Sequence, residues 1–179
     1  VPFNTATDNL QERSRGSLLV EIQPFLIITT KDVILLDCGL GFTDEKDVLQ
    51  LHRNIMVHGI EPTDVTKVIM SHLHKDHAGG LVKYDRQLKQ YFLSFPNAIH
   101  YVNREEMQFA MLGNNPSYKP ERLMPLYHSN RLVLLENKGV IEDSIQYEMT
   151  GAHSPYHQVI WIQADEESIF FGGDEAPQL

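Results

Sequence analysis

Apolar positions in this chain come in short runs, many of them β-branched, and turn-forming residues separate them. Between residues 17 and 37 three such runs, 18–21, 25–29 and 33–37, are broken at Pro24 and at Lys31-Asp32, which predicts antiparallel strands joined by tight turns. Thr43 or Asp44 supplies an N-cap for a helix running to about His58. Val48, Leu51 and Ile55 form its apolar stripe and Gly59 is its stop. Past Pro62, Val65-Thr66-Lys67-Val68-Ile69-Met70 reads as a buried strand. Residues 81–95 predict a short helix and loop, and residues 98–102 a strand. Asn103 with Glu106 three positions on reads as a capping box that opens a helix to Leu112. Residues 113–126, rich in Asn, Pro and Tyr, predict a long irregular connection. There Tyr118, Met124, Tyr127 and His128 either line a pocket or pack an elbow. Strands follow at 132–135, 145–149, 157–163 and 168–171, with turns at Asn137-Lys138-Gly139 and at 164–167. Residues 1–16 are polar, lack a period and read as either a cap on the sheet or an N-terminal arm.

Composition narrows the classes. The sequence has 179 residues, 42% of them hydrophobic and 22% charged, which suits a single globular domain spanning 1–179 with a core of its own. The formal net charge is −9, with 15 basic and 24 acidic side chains and no run of Lys or Arg. Nucleic acid and anionic membranes are therefore not expected partners, because phosphate surfaces need clustered cations. The lone Cys38 rules out an intrachain disulfide and a thiolate zinc cluster. No apolar run approaches the ~20 residues of a membrane span, and no leader is visible, so a cytoplasmic location is the expectation.

The chemistry concentrates in Ser71-His72-Leu73-His74-Lys75-Asp76-His77-Ala78-Gly79-Gly80. Imidazole and carboxylate are the donors that zinc, manganese and iron accept without sulfur. The stretch lies just past a buried strand, where open α/β sheets place their sites. In an extended loop His72, His74 and Asp76 share one side and His77 takes another, which suggests two metal positions. Gly79 and Gly80 are expected to let the backbone turn sharply behind them.

His72-Leu73-His74-Lys75-Asp76-His77 resembles the H-x-H-x-D-H motif of the metallo-β-lactamase-fold hydrolases. Asp37-Cys38-Gly39 is similar to that family's early Asp-x-Gly turn. Gly151-Ala152-His153-Ser154-Pro155-Tyr156-His157 is similar to its G-H-x-P-x-H segment, and Gly172-Gly173-Asp174 to its G-D segment. The four occur in family order from about residue 17 onward. The resemblance implies an α+β fold, an αββα sandwich of two mixed β-sheets with outer helices. It implies His72, His74 and His153 on one metal, Asp76 and His77 on a second, and Asp174 bridging them. Asp37 and His157 become partners that hold ligand side chains in place. The cofactor implied is zinc, two ions, with manganese or iron as substitutes. The reaction implied is attack of metal-held hydroxide on a small ester, lactone, thioester or related molecule, with Asp76 orienting the nucleophile or taking a proton.

Two departures accompany the likeness. The family supplies one further His well downstream of the bridging Asp, and this chain stops at Leu179, so the fold is expected to lack its C-terminal part. The lactonase-like branch, suggested by residues 96–98 and 121–123, carries a Tyr shortly after the bridging Asp, where this chain has Glu175-Ala176-Pro177. Two other readings share the motif: an iron oxidoreductase on the same fold and a non-catalytic metal-binding protein. His74 stands where flavodiiron members commonly have Glu.

Overall fold

A computed structural model describes residues 9–12, 22–164 and 167–175. Eleven strands and four α-helices are formed among them, preceded by a 3-10 turn at Leu10–Glu12. A mixed five-stranded sheet has the order β1 (Phe25–Ile28), β2 (Val33–Leu36), β3 (Lys67–Ile69), β6 (Ile99–Asn103), β7 (Leu132–Leu135). Only the β1–β2 pair is antiparallel; β2, β3, β6 and β7 run parallel. A second sheet, antiparallel throughout, has the order β11 (Glu167–Phe171), β10 (Gln158–Ala164), β9 (Ile145–Met149), β8 (Lys138–Ile141). A separate hairpin joins β4 (Val82–Asp85) to β5 (Gln90–Leu93). The helices are α1 (Gln50–Met56), α2 (Lys75–Ala78), α3 (Arg104–Met111) and α4 (Pro120–Tyr127).

The period of two in the strands divides the core in two. Ile34, Leu36, Ile69 and Tyr101 face the second sheet, where they meet Ile141, Ile145, Tyr147, Ile160, Ile162 and Phe171. The intervening Leu35, Val68 and Val102 face the helices and pack on Ile55, Met107, Ala110, Leu123 and Leu126. Each such side chain removed from water contributes about 1.5–3 kcal/mol, so the middle sheet is fixed from both faces. The expected two packed sheets are present; the larger is mixed and the smaller antiparallel. Among the described residues, α1, α3 and α4 all contribute to the core on the far face of the larger sheet.

Several local expectations change. The helix expected from Thr43 begins only at Gln50, because Thr43 bridges Leu49 and Asp44 Oδ1 accepts from the Lys46 and Val48 amides in a turn. Residues 81–95 form the β4–β5 hairpin rather than a helix; Asp85 Oδ1 takes the Gln87 and Leu88 amides and Tyr84 pairs with Tyr91. The irregular stretch 113–126 contains α4, opened by Pro120 at its first turn and anchored by buried Leu123 and Leu126. The turn expected at Asn137-Lys138-Gly139 lies instead at Glu142-Asp143, both at positive φ (49° and 62°) as tight hairpin turns require. Asn103 caps α3 through the Glu105 and Glu106 amides, but Glu106 sends its own side chain elsewhere. The strand expected at 18–21 lies outside the described residues.

Candidate functional site

The site forms where β2 and β3 end. Asp37, the residue after β2, adopts φ 57°, in the left-handed region that Asp tolerates better than most. Its carboxylate is buried, Oδ1 accepting from the Ser71 amide (2.7 Å) and Oδ2 from Ser71 Oγ (2.7 Å). His77 Nδ1 lies 2.7 Å from the same Oδ2. Ser71 Oγ also meets His72 Nδ1 at 3.0 Å. Ser71 was given no role by sequence reasoning. The signal was its place between the strand and the first His, where a short hydroxyl meets both the turn Asp and the ring.

The motif does not stay extended. It enters the single turn of α2 at Lys75, with His74 as the flanking residue, so Asp76 does not share a loop face with His72 and His74. Gly79 and Gly80 are not at positive φ; their role is close approach. A Cβ on Gly79 would lie 2.3 Å from the Leu40 carbonyl oxygen, and one on Gly80 2.3 Å from that of Cys38.

Two sets of donors converge, each within 4.8 Å: His72, His74 and His153; and Asp37, His72 and His77. His74 Nδ1 and His153 Nε2 are 3.1 Å apart. Asp174, in the turn after β11, sits between the sets, with Oδ1 3.2 Å from His77 Nε2 and Oδ2 3.4 Å from His153 Nε2. Asp76 is half-buried and outside both sets, and its charge acts on His74 and His77. His157 is wholly buried; its Nε2 accepts from the Asp174 amide (3.2 Å) and its Nδ1 lies 3.5 Å from Glu175 Oε2. His128 and His100 stay apart from the site, His100 buried within β6.

Two further residues tie the parts together. Glu106 Oε1 accepts the Leu73 amide at 2.8 Å and Oε2 the Ser154 hydroxyl at 3.4 Å, linking the loop of His72 and His74 to the loop of His153. Burial raises its pKa. Tyr118 packs edge-on against His74, centroids 4.8 Å apart.

The donors suit a divalent metal. His72 Nε2 and His77 Nε2 are buried without an aligned hydrogen-bond partner, an arrangement that costs free energy unless something binds them. Burial, and then the neighbouring rings, push the His72 pKa far down; burial and His153 bring that of His74 to about 4, so both rings are neutral donors at pH 7. Burial opposes protonation of His77 too, but the hydrogen bond and charge of Asp37 outweigh it and raise its pKa. The base of the site is thus dry and the mouth, at His153, open to solvent.

Sandwich, strand-end histidines and intervening carboxylate together define a class: the chain belongs to the metallo-beta-lactamase superfamily, whose model matches residues 22–178. Within that superfamily the matching relatives include an N-acyl homoserine lactonase from Bacillus thuringiensis, 29% identical over 124 residues, covering 69% of this chain and 42% of that protein. A probable metal-dependent hydrolase from Staphylococcus aureus has a similar structure, with a TM-score of 0.68 at 26% identity, covering 84% of this chain and 57% of that one. AidC, a dizinc quorum-quenching lactonase solved with a product, shares the fold, with a TM-score of 0.65 at 24% identity, covering 83% of this chain and 54% of that one. The chain thus spans 42% to 57% of the length of these three proteins. Among the described residues no helix is long and apolar enough to cross a membrane.

Proposed function

We propose that this chain carries the metal site of a hydrolase that opens small lactones and esters, N-acyl homoserine lactones first among them. The observation that carries the reading is Asp174, with one carboxylate oxygen facing each histidine set. His72, His74 and His153 would hold one zinc-type ion; His77 and Asp76 would hold a second, with Asp174 between. What such ions supply when bound is Lewis acidity toward water and toward a carbonyl oxygen. The chain's own groups do the rest. Asp37 and Ser71 fix the rings of His77 and His72. His157 fixes the Asp174 backbone. Asp76, half in solvent at the start of α2, orients the attacking water or receives its proton. The names of the relatives support a lactone substrate. His74 supports hydrolysis over the iron oxidoreductase reading.

The test is a side-by-side screen of acyl-homoserine lactones, aryl esters, phosphodiesters and RNA, before and after chelation. Lactone or ester turnover that chelation abolishes and Zn²⁺ or Mn²⁺ restores is the expected result. Full activity in protein verified metal-free, or preferential cleavage of RNA, overturns the reading.

A further inference from the structure

The sequence has no run of Lys or Arg, yet the fold builds a basic corner from residues that are dispersed along it. Lys83 and Arg86 come from the β4–β5 hairpin and Arg122 from α4; with Tyr84, Tyr91 and Asp47 they line a cavity of about 200 Å³. Lys75, Lys119 and Arg122 line a narrow notch beside it. Asp47 is the only carboxylate on the cavity wall among the described residues, and Arg86 pairs with it at 2.7 Å. Lys75, Lys83, Lys119 and Arg122 make no ion pair with any described residue. Three cations against one carboxylate leave the wall at about +2, on a chain whose net charge is −9. Unpaired cations gathered in a concave site raise the local concentration of anions there.

Part of the cavity wall is backbone. Gly41 and Gly79 both line it, and a Cβ on Gly41 would lie 2.2 Å from the Gly79 carbonyl oxygen. These two glycines let the loops after β2 and α2 touch, and the buried Leu49 and Val82 line the cavity beside them. None of its lining residues belongs to the histidine sets.

We propose that this cavity is a binding site for a phosphomonoester. Arg122 and Lys83 take the phosphoryl oxygens, the guanidinium as a two-pronged donor and the ammonium as a point charge. A phosphomonoester carries about −1.5 to −2 at neutral pH, which matches the charge of the wall, whereas one carboxylate leaves a cation uncompensated. Tyr84 and Tyr91, ring centroids 5.0 Å apart, offer an aromatic surface for the organic part. The site is concave and local rather than a track along the surface, which favours a single phosphoryl group over a nucleic-acid backbone. The proposal stands apart from the hydrolytic reading and uses none of its residues.

Calorimetric titration of the protein with inorganic phosphate and with phenyl phosphate, at ionic strength held constant with chloride, tests it. One phenyl phosphate per chain is expected, bound more tightly than phosphate. Lys83→Gln and Arg122→Gln should each weaken it at least about tenfold, the size of one lost charge-assisted hydrogen bond. Lys138→Gln, on the opposite sheet, should leave it unchanged. Lys83 is exposed, so its replacement keeps the test sound should Arg122→Gln not fold. No saturable binding, binding indifferent to Lys83→Gln, or a single-stranded oligonucleotide bound in preference to phenyl phosphate overturns the proposal.

Discussion

Two polar clusters bracket the three residues of β3, and each joins the two large sheets. At its start, Lys67 donates to Asp32 at the head of β2 and, at 2.9 Å, to Glu142 in the β8–β9 turn. Asp32 also accepts from Thr66 Oγ1 at 2.8 Å. At its end, Asp37 is likewise complete, with Ser71 and His77 as partners. The rings beyond it are not, since His72 Nε2 and His77 Nε2 lack an aligned partner. A buried polar cluster whose members satisfy one another stiffens a fold. One that leaves buried donor atoms over is a receptacle. The same strand carries one of each.

The sharpest way to break that contrast is Asp76→Ala. The Asp76 side chain forms no hydrogen bond or ion pair with the described residues and is half-exposed, so the melting temperature should scarcely move. Turnover should fall by ~10²–10⁴, the usual loss when a group orienting the nucleophile is removed. Unchanged turnover in folded variant would make Asp76 a bystander.

Asp37→Asn probes the complete half of the same end. It keeps the shape and the left-handed backbone that Asn also tolerates. It weakens the hold on His77 and Ser71. Metal affinity, read by competition with a chelator, should drop 10- to 100-fold. A fall in stability with metal affinity intact would assign Asp37 to folding alone.

The smallest effect is expected at the other end. Lys67→Met should cost about 1–3 kcal/mol in urea unfolding, less than for a fully buried pair because Glu142 is largely exposed, and should leave turnover per folded molecule unchanged. Its pH signature is distinctive. Burial resists ionisation of both partners, but their mutual hydrogen bonds outweigh it: Asp32 is lowered from 3.8 and Lys67 raised from 10.5. The lowered carboxylate contributes stability above pH 3.8 that is lost as pH falls through its folded value. The raised ammonium contributes stability below pH 10.5 that is lost as pH rises through its folded value. In Lys67→Met the alkaline loss should vanish. An alkaline limb identical to wild type would place its origin elsewhere.

How much of this the sequence held depends on how local each cause was. The family resemblance to the metallo-beta-lactamase superfamily, and with it the packed sheets, was legible from four motifs in order, because close backbone turns and metal donors restrict residue choice at short range. The strands β1, β2, β3, β6, β7, β9, β10 and β11 were legible to within a residue or two from their apolar runs. The β4–β5 hairpin was not: Lys83, Arg86 and Lys89 look like a helix face, and only the Tyr84–Tyr91 pairing across the hairpin reveals the alternation. Helix α4 was hidden by Pro120 and Pro125, the first of which is a helix starter in context. Glu106 was read as a cap because its spacing from Asn103 fits one; its use by Leu73, 33 residues away, is a tertiary fact. The basic corner was invisible for the same reason, since nothing along the chain brings Lys83 and Arg122 together.

The wide spacing of the site along the chain sets an order of events during synthesis. His72 follows the end of the parallel strand β3 and His77 lies in α2, while Asp174, the carboxylate between the two sets, comes 97 residues after His77. At roughly 5–20 residues per second, a ribosome delivers Asp174 about 5–20 s after the histidine motif. When the motif emerges β3 can align beside β2, while its other parallel neighbour, β6, and the second sheet emerge in the course of that interval. For those seconds the nascent chain displays a histidine cluster without the residues that close it. The β10–β11 hairpin, with Asp174 just past its end, then brings the carboxylate that lies between the two histidine sets.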